Sequence, residues 1–381
     1  MRKTVFLLLL AALLCGCAAA VPPETEPSTQ TLPPETTTQP TQPETTQPPD
    51  PVEELLASMT TEEKVGQLFL ARCPGAEAAA LAQQYHLGGY ILFGRDFAGQ
   101  TPESMRSTIA AWQASAAIPM LIAVDEEGGT VCRVSAEPAF RAEPFPAPRT
   151  LYDKGGLKLA GSLESEKAYL LNALGINVNM GPVCDVATQR GSFMYQRSLG
   201  QSPEVTGAFA ADAVQRMAEY RVGSVLKHFP GYGNNGDTHT GVVKDTRSLE
   251  SLEAADLLPF AAGIQAGCGA ILMSHNIVTA LDAELPASLS PAAHGYLRHT
   301  MGFDGVIVTD DLAMGAITQQ YGAQEAAVLA VEAGNDLLCS TEFAAQYDAV
   351  LEAVQTGRLP QEQLNAAVRR VLAWKQTLGL L

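Results

Sequence analysis

Four short apolar runs in this chain carry ionisable residues at or near their ends. "MLIAVD" ends on Asp125, "GSVLKHF" carries Lys227 and His228, "AILMSH" ends on His275 and "GVIVTD" ends on Asp310. In a chain only 17% charged, four such ends point to one pocket. Just past Lys227 and His228 lies "PGYGNNGDTHTG", Pro230 to Gly241, where Asp237 and His239 stand one residue apart among glycines and asparagines. A carboxylate bonded to one imidazole nitrogen fixes the tautomer and raises the basicity of the other, which makes a proton-transfer dyad. Two other readings are open: an Asp-x-His metal site, and a polar surface loop with no role. Against the metal, no second cluster of His or carboxylate residues lies at metal spacing, and Lys227 is a poor neighbour for a cation. Asp310 can act as a nucleophile, a metal ligand or a hydrogen-bond anchor. Asp311 is expected to face away, because alternate strand residues point to opposite sides.

The elements that must position these groups follow from the apolar runs. Eight occur, at 67–71, 88–93, 120–125, 176–183, 223–229, 270–275, 305–310 and 335–340. They are rich in Val, Ile and Leu, as parallel strands buried on both faces should be. Helix-like stretches such as "PEVTGAFAADAVQRMAEY" separate most of them, and Thr60 and Glu63 have capping-box spacing. In the last helix, "QEQLNAAVRRVLAWKQTL", Leu364, Val368, Val371 and Leu372 share one face. Eight strands alternating with helices over about 330 residues predict a (β/α)8 barrel of the TIM type, with its chemistry at the carboxyl ends of the strands. A doubly wound sheet is the rival, but no G-x-G-x-x-G follows the first strand.

Together "KHFPGYG…DTH", "VDEEGGTVCR", "QRSLG" and "VIVTDDLAM" resemble glycoside hydrolase family 3, and more narrowly its bacterial β-N-acetylhexosaminidase branch, from about Glu53 to Leu381. The resemblance implies a retaining reaction on a (β/α)8 barrel. It places the nucleophile on Asp310 and the acid/base on His239, with Asp237 as its partner. It places sugar-binding positions on Asp125, Arg133, Arg197, Lys227 and His228. It implies no metal and no organic cofactor. The chain departs from the family pattern at Tyr232, where His is common, at Thr130, where Arg is common, and at Asp96, where Asn is usual; its D-x-H pair also arrives one residue early. The sequence ends at the barrel, so the second domain that carries the acid/base glutamate of many family β-glucosidases is not expected.

The amino terminus bears on location. "MRK" and the apolar "TVFLLLLAALL" lead to "LCGC", which resembles a bacterial lipobox and implies lipidation of Cys17. Residues 1–16 are then a lipoprotein signal, 17–51 a Pro/Thr/Glu-rich disordered spacer and 52–381 the barrel. A spacer of that composition reaches about 100 Å at ~3.1 Å per residue when fully extended. A protein held on the outer side of a cell membrane by its lipid, and a monomer, is expected. The net charge of -17 argues against nucleic acid as a partner. Five cysteines remain in the folded part with no CxxC spacing, and they are read as small core residues. The function read from these residues is an exo-β-N-acetylglucosaminidase acting on peptidoglycan fragments or other GlcNAc-terminated saccharides. Its rivals are a phosphorylase using the same residues, a saccharide-binding lipoprotein without activity, and a metal-dependent hydrolase.

Overall fold

The computed structural model describes residues 50–381. The signal, the lipidation site Cys17 and nearly all of the spacer lie outside the described residues. Helix α1, Pro51–Ser58, is capped by the Asp50 side chain, which accepts the Val52 N–H at 2.9 Å. Asp50 and Pro51, read from sequence as the end of the spacer, therefore begin the domain, since proline suits the first helical turn. Helix α2, Thr61–Gln67, starts on the expected capping box, with Thr60 and Glu63 each bonding the other's backbone N–H.

All eight expected strands form: β1 Phe69–Arg72, β2 Gly89–Leu92, β3 Leu121–Val124, β4 Val178–Asn179, β5 Gly223–Phe229, β6 Ala270–Met273, β7 Val306–Thr309 and β8 Leu338–Ser340. They pair in parallel in the order β7-β6-β5-β4-β3-β2-β1-β8. A bridge from Val308 to Leu337 brings the β7 and β8 edges together and closes the barrel. β4 is shorter than its apolar run, and Pro182 within that run has no N–H to give the ladder. Its neighbours still bond across, with the Val225 N–H donating to the Gly181 carbonyl at 2.8 Å.

The crossovers are helical. In order they are α3 Ala78–Tyr85, α4 Pro102–Ser115, α5 Pro148–Leu174, α6 Pro203–Glu219, α7 Leu257–Gln265, α8 Pro291–Gly295 and α9 Ala323–Ala333, followed after β8 by α10 Phe343–Gln355 and α11 Gln361–Thr377. The barrel interior is filled by inward-facing strand residues such as Leu70, Leu121, Val178, Val225, Leu272 and Val308. Trp374 from α11 belongs to the same cluster and stops the amino-terminal end. A Cβ at Gly223 or Gly269, which precede or begin β5 and β6, would lie 2.7 or 2.0 Å from its indole. Only glycine lets the strands start against that ring. With one end plugged, the open end left for chemistry is the carboxyl end of the strands. Among the described residues no helix is long and apolar enough to cross a membrane.

Candidate active site

The carboxyl ends of the strands open onto a pocket of about 650 Å³. All eight expected site residues in the barrel line it: Asp125, Arg133, Arg197, Lys227, His228, Asp237, His239 and Asp310. Asp310 follows β7 and is tied to β6 by its N–H, which donates to the Met273 carbonyl at 3.1 Å. One of its carboxyl oxygens accepts the Asp311 N–H at 2.9 Å. The other has no hydrogen-bond donor among the described residues. His275 lies buried beneath it rather than in the pocket. Its Nε2 faces the Asp311 carbonyl at 3.0 Å and must carry the ring proton, so its Nδ1 accepts from the Ser288 hydroxyl at 2.7 Å. Burial lowers the His275 pKa, against the upward pull of the Asp310 carboxylate and the Asp311 carbonyl. Burial alone would raise the Asp310 pKa, but the polar imidazoles of His275 and His228 beside it and the Asp311 N–H that it accepts outweigh burial, and the carboxyl stands below its ordinary value. Asp310 is thus an ionised carboxylate with a free oxygen.

Asp311 does not turn away as expected. It reaches the pocket wall, because it lies beyond the last paired residue of β7, where strand alternation no longer applies. Its oxygens are occupied by the Thr341 hydroxyl at 2.6 Å and the Ala313 N–H at 3.0 Å.

After β3 the chain forms a hairpin, Glu126–Gly128 against Val131–Cys132. Gly128 has φ +100°, and a Cβ there would lie 2.5 Å from the Pro146 carbonyl oxygen, so the tight turn needs glycine. The buried Glu126 carboxylate holds the hairpin by accepting the Arg133 and Val134 N–H groups at 2.9 and 2.7 Å. Glu127 then grips two cations. It takes a two-pronged bond from Arg197, at 2.9 and 2.6 Å, and lies 2.6 Å from Lys227 Nζ. Lys227 also donates to Asp125 at 2.6 Å. Burial opposes charge on Glu127, but Lys227 and Arg197 hold its carboxyl well below the usual range. Burial likewise opposes charge on Lys227, and Asp125 and Glu127 reverse that and raise its pKa. Lys227, Arg197 and Glu127 are therefore fixed in their charged forms, and both cations are fixed at the pocket wall.

Two Asp–His pairs stand at this end of the barrel, one joining His228 of β5 to Asp185 on the loop after β4, the other, Asp237 and His239, on the loop after β5. His228 Nδ1 is 2.7 Å from Asp185, and its Nε2 is 3.2 Å from Arg197 Nη2. A guanidinium can only donate, so Nε2 accepts and Nδ1 bears the proton. His239 Nδ1 is 2.6 Å from Asp237, which also accepts the His239 N–H at 2.9 Å. The His239 side chain is 57% exposed, at the rim. Arg133 stands apart from these ion pairs. Its guanidinium lies 5.7 Å from the Phe93 ring centroid, with Arg72 at 4.6 Å from the same centroid, and both Nε atoms are buried without a partner.

Sequence reasoning missed Glu127, Asp185 and Arg72. Glu127 lies inside the motif "VDEEGGTVCR", and Arg72 directly follows the first apolar run, much as Asp125 ends the third. Asp185 follows the fourth run by two residues, beyond the strand itself. All five cysteines of the described region are free thiols, four of them buried. Among the described residues no group of three or more His, Cys, Asp or Glu side chains is placed to hold a metal ion.

An ionised carboxylate in a barrel-end pocket, an imidazole oriented by an aspartate at its rim, and a wall of fixed donors and acceptors suit the cleavage of a bond between sugars. The family comparison places the chain in that class. Residues 60–374 match the family model described as the glycosyl hydrolase family 3 N terminal domain, and the chain belongs to that family of glycoside hydrolases. It is 30% identical over 386 residues to the β-hexosaminidase LpqI of Mycobacterium tuberculosis, covering 98% of this chain and 97% of that one. The solved structure of M. tuberculosis LpqI superposes with a TM-score of 0.78 at 31% identity, over 85% of this chain and 96% of that one. A family 3 β-N-acetylglucosaminidase from Paenibacillus superposes with a TM-score of 0.79 at 34% identity, over 85% of this chain; the match spans 63% of the Paenibacillus protein.

Proposed function

We propose that this chain is a retaining exo-β-N-acetylglucosaminidase that releases terminal GlcNAc from peptidoglycan fragments or other GlcNAc-terminated saccharides. The observation that carries the reading is the presence, in one pocket, of an ionised Asp310 with a free oxygen and of the rim dyad Asp237–His239. The named activity of LpqI supports a β-hexosaminidase, and that of the Paenibacillus relative supports the GlcNAc specificity.

In the first half of the reaction Asp310 attacks the anomeric carbon. His239 gives its Nε2 proton to the glycosidic oxygen as that bond breaks, while Asp237 holds the Nδ1 proton. A glycosyl-aspartate and a neutral imidazole result. In the second half His239 takes a proton from water, the oxygen attacks the anomeric carbon from the face the aglycone left, and Asp310 departs. Two inversions give net retention. Asp125, Lys227, Arg197 and Arg133 grip the sugar's hydroxyls, charged groups giving the stronger bonds, and His228, its ring nitrogens taken up by Asp185 and Arg197, walls the sugar site and holds Arg197 in place.

A phosphorylase is the second reading. The acid/base is an imidazole rather than a carboxylate, so the rim does not repel phosphate as the second acceptor. Product analysis on p-nitrophenyl β-N-acetylglucosaminide, with and without phosphate, tests both. Free GlcNAc in both conditions supports hydrolysis. GlcNAc 1-phosphate, formed only when phosphate is added, supports phosphorolysis, and no cleavage contradicts both. We further propose lipidation at Cys17, which holds the enzyme on the extracytoplasmic face of the cell membrane, supported by "LCGC" and the spacer behind it.

A further inference from the structure

Tyr232 sits between the two Asp–His pairs. Its N–H donates to Asp185 at 2.7 Å, and its ring meets His228 edge-on at 5.3 Å between centroids. The same ring lies 5.5 Å from Phe193, which in turn meets His239 edge-on at 5.8 Å. The Tyr232 hydroxyl lies 2.5 Å from Thr238 Oγ1. Thr238 is the residue between Asp237 and His239, and it is the one fully buried residue between Asn234 and Gly241. Neither hydroxyl has another side-chain partner among the described residues. Burial pushes the phenol pKa up, so Tyr232 keeps its proton at any working pH.

The loop has few other holds: at its start Asn234 accepts the Thr188 and Gln189 N–H groups at 3.1 and 3.0 Å. The Ala316 N–H donates to the Thr238 carbonyl at 3.1 Å, and Gln319 Nε2 donates to the Thr240 carbonyl at 3.2 Å. Both come from the short segment after Asp310. There Gly315 comes so close that a Cβ would lie 2.8 Å from the His239 carbonyl oxygen. The remaining loop is glycine and asparagine, whose backbone is costly to order. We infer that Tyr232 is a positioning residue: its hydroxyl latches Thr238 and so holds His239 over the site. The latch rests on the proposed roles of Asp310 and His239. It differs from a packing role because the bond to the loop's buried peg is made by the hydroxyl, while the ring packs on His228 and Phe193.

Tyr232→Phe keeps the ring and removes the latch, and Thr238→Val removes it from the other side. Each is expected to lower kcat about 2- to 10-fold on a GlcNAc-terminated disaccharide, the worth of one buried hydroxyl bond. KM should hold, and glycosylation by a p-nitrophenyl glycoside, which needs little proton donation, should fall less. Thr238→Ser should behave as the parent. The double variant should be no worse than the poorer single one, since both remove the same interaction. Hydrogen–deuterium exchange supplies a reading independent of turnover: residues 232–242 should exchange faster in Tyr232→Phe while β5 is unchanged. Unchanged loop exchange, equal losses on both substrates, or losses that multiply in the double variant would each overturn the latch. If the latch fails while His239→Ala still discriminates between leaving groups, the hydrolase reading stands. If the parent cleaves neither substrate, that reading falls and loop exchange alone decides the latch.

Discussion

The two Asp–His pairs are alike in bonding and different in availability. His228 has both ring nitrogens engaged, by Asp185 and Arg197, inside the pocket wall. His239 has one nitrogen held by Asp237 and the other open at the rim. A proton donor must reach the glycosidic oxygen and then admit water, and only the second arrangement permits that. General acid catalysis contributes roughly 10²–10⁴-fold, and most where the leaving group is basic. His239→Ala should therefore be crippled on disaccharides yet form the glycosyl-enzyme from activated aryl glycosides with much less impairment, as single-turnover kinetics would measure. Azide should partly restore its slow deglycosylation. Equal loss on both substrates at the first step would make His239 a binding or structural residue.

Among the elements, helix α11 shows both what sequence reasoning reaches and where it stops. Its expected apolar face of Leu364, Val368, Val371 and Leu372 is buried, and Lys375 continues that face at helical spacing. The Lys375 ammonium is buried too, donating to the Gln67 side chain at 2.6 Å, and among the described residues it forms no ion pair with a carboxylate. Burial pulls its pKa down to about 7. Between that value and the ordinary lysine value the unfolded chain binds more protons than the folded one, so stability rises with pH across the window from about 7 to about 10. Lys375→Met should raise the unfolding free energy at pH 7 by roughly 1–4 kcal/mol. In denaturant titrations its advantage should shrink as pH rises towards 10; a less stable variant, or a gap that does not change with pH, would contradict this. The strands were legible because fully buried parallel strands are continuous apolar runs. Asp310, Lys227 and His228 were legible because a charge at the end of such a run has few other reasons to be there. Glu127 and Asp185 were not assigned, because their work depends on contacts with Arg197, Lys227 and His228, each 43 or more residues away. No local pattern encodes which distant cation a buried acid will meet.

At the scale of the whole molecule, a compact barrel is preceded by a long polar segment and an apolar leader ending in "LCGC". The net charge of -17 opposes adhesion to anionic surfaces, so the proposed attachment must come from covalent lipid rather than from the barrel's own charge. A single acyl chain binds membranes only marginally, and more than one is needed for stable anchoring. The full-length protein should partition into detergent, and Cys17→Ala should shift it to the aqueous phase or leave it unprocessed. Unchanged partitioning of that variant would remove the lipidation proposal and leave the enzymology untouched.

The central claim is that Asp310 is the carboxylate that becomes covalently bonded to the sugar. The most direct test is to incubate the full chain with a fluorinated N-acetylglucosaminide that slows deglycosylation, measure the intact mass and map the labelled peptide. The expected result is one added glycosyl unit on Asp310, none in Asp310→Ala, and a loss of several orders of magnitude in that variant's rate. A label on Asp311 or Asp125, or turnover with inversion and no adduct, would contradict it.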